Sequence, residues 1–524
     1  MERGVISRRA LAPGLRAASQ EPGASARRLM GDGTMREFRT PQSRCRFGIA
    51  RREITPPVGI YHRMWGAAAH DRSDGVHRPL TATAVALRPL AGDELQLIVA
   101  VDHCLLFPRE MEQLRERVCH ASGVSPDDLL VVFSHTHAAG LMEERRADQP
   151  GGDLIAPYLQ DLAAGIAAAI ADAVNSVQPA TITYGTGRCS LAAHRDFFDE
   201  ESRQFVCGFN PDGPTDDAVI VARVTDSDSN TVATIVNYAC HPTTLAWQNR
   251  LISPDFVGAM RETVETATGR PCVFLQGASG DLGPRVGFVG DPAIADANGR
   301  QLGYAALSAL EELPPPETKL TYAGPVVSGA TIGTWEFRPL SETERKDASL
   351  WRRDSFTVDL SYRPGLSTAD ETRAELERWS ASEQQARTAG DEQSAADARA
   401  MVERCRRKLT RLDGLPPGDA FPYPVTTLRI GGTVWLAVEG EPYNLLQREL
   451  RSRFPGVPII VMELTNGSRI GYLPTAETYG TGIYQESIAL LERGCLETLI
   501  EHLRKRLAAI GSTSTSLHQD ATET

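Results

Sequence analysis

A chain of 524 residues is longer than one hydrophobic core ordinarily serves, so one large domain with insertions, or two domains, is expected. Its 41% hydrophobic and 23% charged residues are those of a soluble globular protein, and a net charge of -12 argues against a general nucleic-acid binder. Nine scattered cysteines with no Cys-x-x-Cys pair argue against a cysteine zinc site and suit buried free thiols in a reducing compartment.

Residues 1–45 are rich in Arg, Ala and Gly with little periodicity and read either as a disordered tail or as the product of an upstream start codon, with the working start at Met30 or Met35. Arg8-Arg9 is not followed by the continuous apolar stretch of a twin-arginine signal, and no apolar run approaches a membrane span, so a cytoplasmic protein without an integral membrane segment is expected. The folded part is placed at 46–511. It opens near Arg46–Ala50, turns at Ile54-Thr-Pro-Pro57, and crosses a loop at 61–77 to strands at 80–87 and 95–101. A helix at 109–121 then feeds an apolar strand, Leu129–Phe133; strand, helix, strand implies a parallel pair with a crossover.

An Ala-rich helix at 158–174 precedes a short strand at 180–184 and paired strands at 218–224 and 231–238. Ser253, with Pro254 at the first helical position, predicts a helix to about Thr266, followed by a strand at 272–275 and a helix at 291–313. Residues 367–412 are sparse in large apolar side chains and break at Ala389-Gly390, predicting an antiparallel helical hairpin that projects from the domain as a solvated insertion. A β-hairpin about Gly431-Gly432, a strand at 459–462 and a helix at 485–507 complete the fold, and 512–524 read as a flexible tail. The expected class is α/β, with mixed β-sheets flanked by helices.

Candidate ligands gather where strands end, which is where open α/β sheets form their sites. The 95–101 strand ends at Asp102-His103, 129–133 at His135 and His137, 231–238 near His241, and 434–438 at Glu439-Gly-Glu441. Residues two apart on an extended chain share a face, so His135 and His137 are expected to point into one cavity. Histidine nitrogens with a carboxylate suit a catalytic zinc that keeps a position for water, and no His-Glu-x-x-His helix is present. The turn Gln276-Gly-Ala-Ser-Gly-Asp281 follows a strand; its small residues allow close approach, and Gly277, Ser279 and Asp281 are candidate substrate-binding positions with backbone NH groups for an oxyanion. Gly-x-Ser-x-Gly is not completed, because Asp281 stands at its last position, so Ser279 reads as part of a tight turn rather than a nucleophile.

From Arg46 to about Arg506 the order and spacing of short motifs resemble the neutral (non-lysosomal) ceramidase family: Gly75-Val-His77, Ser134-His-Thr-His137, the Arg195 region, Tyr238-Ala-Cys-His241, Ser253-Pro-Asp255, Gln276–Pro284, Gly440-Glu441 and Gly471-Tyr472. The resemblance implies a zinc-dependent amide hydrolase with one zinc held by His135, His241, Glu441 and Tyr472. It places His137 and Arg195 at the reacting group, and His77 among the substrate-binding positions. Tyr479 and Tyr484 compete with Tyr472 for the tyrosine role. The family's serine in its Asn-x-Ser-Pro segment is replaced by Gly283, which favours attack by metal-activated water over a covalent acyl-enzyme. That departure, together with the expected location, points to a soluble small-molecule substrate rather than ceramide. Two rival readings stand beside it: an ester or lactone hydrolase on the same scaffold, and a non-catalytic binding protein that keeps the fold. A homo-oligomer is compatible with each.

Overall fold

In the computed structural model, residues 36–512 are described. Eight strands make the larger sheet: β1 (Gln42–Glu53), β2 (Thr81–Arg88), β3 (Gln96–Val101), β4 (Leu129–Phe133), β5 (Gln178–Arg188), β6 (Ala218–Thr225), β7 (Thr231–Tyr238) and β8 (Cys272–Gln276). Their order is β8-β7-β6-β5-β1-β2-β3-β4. Only the outer pairs, β3 with β4 and β7 with β8, are parallel. Each of these pairs needs a crossover, supplied by helix α1 (Pro108–Ser122) and helix α3 (Phe256–Thr268). Helices α2 (Ile155–Asn175) and α4 (Pro292–Glu311) complete the covering of that face.

A second sheet is built from β9 (Trp351–Ser361), β10 (Ala420–Ile430), β11 (Thr433–Val438) and β12 (Ile459–Met462), in that order. Alternation along the strands gives each sheet two apolar faces. Phe47, Ile182 and Val273 of the large sheet share one core with Ile430, Trp435 and Ile460 of the small one. The outer face of the small sheet packs on helix α8 (Cys495–Ser512) and on helix α7 (Leu445–Arg453), through residues such as Leu446, Leu450, Leu496 and Leu499. The layers therefore run helix, sheet, sheet, helix. A three-stranded sheet of residues 37–38, 318–328 and 330–339 forms a separate small unit.

The chain after β12 joins two strands that the strand order keeps at opposite edges. Glu463 N donates to Gln276 O at the end of β8, and Asn466 N donates to Val131 O in β4. The carboxyl ends of β4, β7, β8 and β11 are thereby drawn to one place.

Several expectations change. Residues 1–35 lie outside the described residues, but 42–45 belong to β1 and Cys45 is fully buried, because β1 pairs with both β2 and β5. Residues 513–524 also lie outside the described residues. Helix α3 is capped by Asp255, whose side chain accepts from Phe256 N; Ser253 lies outside the helix and accepts from Asp255 N. The helix expected over 485–507 is broken into Tyr484–Ile488 and α8, with Gly494 between them at φ 92°. Among the described residues one helix, spanning Gly152–Asn175, is long and apolar enough by composition to cross a membrane, with mean hydropathy 1.5. Half of that window is buried, and Leu159, Leu162 and Ile166 pack in the core over β2 and β3.

The hairpin at 367–412 forms as two helices, α5 (Ala369–Ala389) and α6 (Glu392–Asp413). It does not merely project. Glu403 of α6 pairs with Arg146 at 2.6 Å, both side chains 2% exposed, and Arg407 donates to Met64 O. Apolar residues are few because an ion-pair network replaces them: Glu403 also faces Arg399 and Arg406, each at 3.4 Å.

Candidate metal centre and substrate cavity

The apolar run of β4 stops at Phe133, and the next residues leave the sheet. Ser134 N and His135 N donate to Val101 O and His103 O, and His135 adopts φ 69°. A non-glycine residue in the left-handed region costs on the order of 1–3 kcal/mol, retained here by the surrounding contacts. The two histidines therefore meet through this turn rather than through strand alternation.

His135 Nδ1 donates to Cys104 O at 2.7 Å, and His241 Nδ1 donates to Ser279 O at 3.2 Å. Each ring is thus fixed with Nε2 turned inward. The two Nε2 atoms stand 2.8 Å apart, and Glu441 Oε2 is 3.3 Å from both. That oxygen is buried and takes no hydrogen bond among the described residues. Donors on a tetrahedral zinc with bonds near 2.0–2.1 Å stand roughly 3.3 Å apart, so the set fits the ion with slight opening of the two imidazoles. Tyr472 Oη is 3.5 Å from His241 Nε2, whereas Tyr479 Oη is spent on Leu491 O. Tyr484 stacks edge-on against Tyr472 from the cavity side.

Burial holds His241 down to about 3 and, with His135 and His241 beside it, holds His137 well below the ordinary imidazole value. Both imidazoles are therefore neutral. Burial opposes charge on His135 too, but Cys104 and Glu441 outweigh it and raise His135; burial likewise opposes charge on Glu441, but the two histidines hold it well below the ordinary carboxylate range. One positive charge beside Glu441 is what the cluster accommodates, a proton on His135 or a cation in its place.

Behind the ligands lies a buried supporting group. Ser279 Oγ donates to Glu463 Oε1 at 2.5 Å and lies 3.4 Å from His241 Nδ1, while Ser279 N donates to Glu463 Oε2. Burial pushes the Glu463 carboxyl up to about 8.

In front lies a cavity of about 510 Å³ bordered by His137, Arg195 and Tyr472, with Trp65, Trp247 and Phe288 as its apolar wall. A smaller chamber of about 60 Å³ shares His137 and Tyr472 with it and reaches His135 and Glu441. Arg195 is 2% exposed, donates to Gly280 O, lies over the Tyr472 ring and has no partner for its Nε–H among the described residues.

Four expected substrate-binding residues do not border the cavity. His77 is held between Ser253 Oγ at 2.9 Å and Asp296 at 3.2 Å. In the 276–281 turn, the NH groups of Gly277, Ala278, Ser279 and Gly280 are spent on Tyr238, Gln447, Glu463 and Pro442. The Asp281 carboxylate accepts from Asn444 N. Those four NH groups are therefore not available to an oxyanion, and the turn positions His241 and Arg195 from behind. Asp102 and His103 are likewise structural, held by Arg261 and Tyr158, and Glu439 pairs with Arg469.

Residues 46–289 match the sequence family described as neutral/alkaline non-lysosomal ceramidase, N-terminal. Over these residues the chain resembles that family. The fold is similar to the crystal structure of neutral ceramidase from Pseudomonas aeruginosa, with TM-score 0.59 and 16% identity over 89% of this chain and 75% of that one. It is also similar to a ceramidase complexed with C2, with TM-score 0.58 and 16% identity over 89% and 76%. At that identity the likeness establishes the mixed α/β architecture, and its 89% coverage carries the similarity of fold beyond residue 289. Sequence reasoning missed the arginines of α6 and the support from Glu463. A signal for the first existed in the spacing Arg404, Arg407 and Arg411, one face of a helix.

Proposed function

We propose that this ceramidase-like protein is a zinc-dependent hydrolase that cleaves an N-acyl amide bond in a soluble substrate rather than in ceramide. The observation that carries this reading is the convergence of His135 Nε2, His241 Nε2 and the unpartnered Glu441 Oε2 at the inner end of a cavity. A zinc ion held by these residues, with Tyr472 beside it, supplies Lewis acidity for a carbonyl and lowers the pKa of a water molecule.

The chain's own groups have separate tasks. His137, neutral and facing the cavity, moves a proton between water and the leaving amine. The free Nε–H of Arg195 donates to an oxygen of the substrate's acyl group. Tyr472, whose phenol burial holds well above its ordinary value, stays a neutral donor. Trp65, Trp247 and Phe288 exclude water from an apolar portion. No hydroxyl at Gly283 competes as a nucleophile. Nine unpaired cysteines support placement in the cytoplasm.

The test is metal analysis of the purified protein followed by a substrate screen with the zinc-loaded form. One equivalent of zinc and hydrolysis of N-acyl compounds in preference to matched esters are expected. Less than about a tenth of an equivalent after zinc supplementation overturns the metal reading. A preference for long-chain ceramide of more than about tenfold in kcat/KM overturns the substrate reading.

A further inference from the structure

Helix α6 brings three guanidinium groups to the cavity. Arg404, Arg407 and Arg411 lie at spacings of three and four, so they share one helix face, and all three border the 510 Å³ space. Their neighbours on the same helix behave differently. Arg399 and Arg406 are engaged by Glu403, which Arg146 also holds. No carboxylate lies within 4.0 Å of Arg404, Arg407 or Arg411 among the described residues. Arg411 reaches only Arg407 O, at 3.5 Å, and Arg407 donates to Met64 O with its Nε–H unpartnered. Arg407 and Arg411 also border the inner chamber that holds His135 and Glu441. Burial, with Arg407 beside it, outweighs the attraction of Tyr484, Glu441 and Tyr472 and holds the Arg411 guanidinium below its ordinary value. Arg404 is exposed to solvent, whereas Arg407 and Arg411 are partly buried; like charges three and four residues apart repel, and partly dehydrated cations without counterions are costly unless a ligand neutralises them.

From this arrangement we infer that the substrate carries a carboxylate close to the scissile amide, as an N-acyl amino acid does, and that Arg411 with Arg407 binds it. The inference rests on the amide-hydrolase reading for the bond and on the arginines for the carboxylate. Guanidinium groups bind carboxylates in paired hydrogen bonds, which fixes orientation as well as charge. A carboxylate one carbon from the amide nitrogen would sit in the inner chamber beside the ligands. The acyl chain would then lie along Trp65, Trp247 and Phe288. Glu403 also borders the cavity, but its charge is taken by Arg146, Arg399 and Arg406. The neutral amide analogue lacks the charge that would match the partly buried Arg407 and Arg411.

The test compares N-lauroylglycine with N-lauroylglycinamide, which differ only in the carboxylate. Calorimetric Kd and kcat/KM are measured for the zinc-loaded wild type, R411Q and R411K. In the wild type the carboxylate should bind at least about tenfold more tightly than the neutral amide. R411Q should bring that ratio below about threefold, and R411K should keep part of it. Equal affinities in the wild type overturn the inference whether or not the variants fold. An undiminished ratio in folded R411Q also overturns it, because the carboxylate is then held elsewhere, at the metal included. Tighter binding of the carboxylate, abolished in R411Q, with neither compound hydrolysed, leaves the anion site standing and sinks the amidase reading alone.

Discussion

Two neighbouring parallel strands, β3 and β4, both end in a buried, histidine-containing segment with a carboxylate nearby, yet only one makes a site. After β3, Asp102 is 1% exposed and both oxygens are occupied: Arg261 donates to Oδ1 and Oδ2 at 2.8 and 2.6 Å, and Thr81 donates twice to Oδ2. His103 beside it turns Nε2 to Tyr158 Oη at 2.5 Å. After β4, His135 is equally buried, but its outward nitrogen is tied to a backbone carbonyl and its inward one faces His241 and Glu441. Burial and residue type are therefore common to both. His103 Nδ1 is buried without a partner among the described residues, so what separates the two ends is convergence: the Asp102 oxygens are spent on the chain's own donors, whereas His135, His241 and Glu441 turn their ligand atoms toward one another.

Removing a converging ligand should have the largest effect. His241→Ala should leave less than a tenth of an equivalent of zinc and lower kcat/KM by roughly a thousandfold or more, with little change in far-UV circular dichroism. Full metal retention in that variant would assign the ion to another site.

Asp102→Asn should do the reverse. It strands Arg261 in the interior and should cost about 3–5 kcal/mol of stability in urea titration, while the folded fraction keeps its zinc. The same residue gives a pH signature. Burial by itself raises the Asp102 carboxyl, but Arg261 and Thr81 outweigh it and hold it below its ordinary 3.8. Its stabilising contribution is therefore complete above the unfolded value and is lost as pH falls through the depressed folded value. The acid limb of the stability curve should flatten in the variant; an unchanged limb would show that other carboxylates govern acid unfolding.

Ser279→Ala sharpens the comparison within the site itself. The Ser279 carbonyl that orients His241 is backbone and survives the change, whereas Glu463 loses a donor. Stability should fall by about 1–3 kcal/mol. Activity should stay within about tenfold. Loss on the scale of His241→Ala, or covalent labelling of Ser279 by an acyl-phosphonate probe, would make it a nucleophile.

Gly283→Ser should have the smallest effect. A Cβ there meets Thr243 Oγ1 at 3.6 Å and Arg195 Cδ at 3.9 Å, ordinary contacts, so stability should move by less than about 0.5 kcal/mol. The hydroxyl enters beside Arg195 at the cavity edge. A rise in kcat of more than about tenfold would show that hydrolysis here is limited by the missing serine.

The strands and their order along the chain were written in local pattern. Apolar runs at β3, β4, β7 and β8, the crossover between β3 and β4, and the Gly431-Gly432 hairpin depend on periodicity and turn chemistry, which act over a few residues. The histidines and Glu441 were legible for the same reason, as polar residues where apolar runs stop. Pairing across the fold was not legible. Whether Asp102 or Glu441 meets a satisfying donor depends on Arg261 and the histidines, which lie more than a hundred residues away for each, and no local signal encodes that distance. The 276–281 turn looked like an oxyanion cradle because its NH groups carry no sequence mark of being spent. The hairpin looked solvated because a helix face of arginines and glutamates reads as surface. Tertiary structure laid that face against Arg146 and the cavity, where dehydration turns the same charges into a buried ion-pair network and an unneutralised cluster.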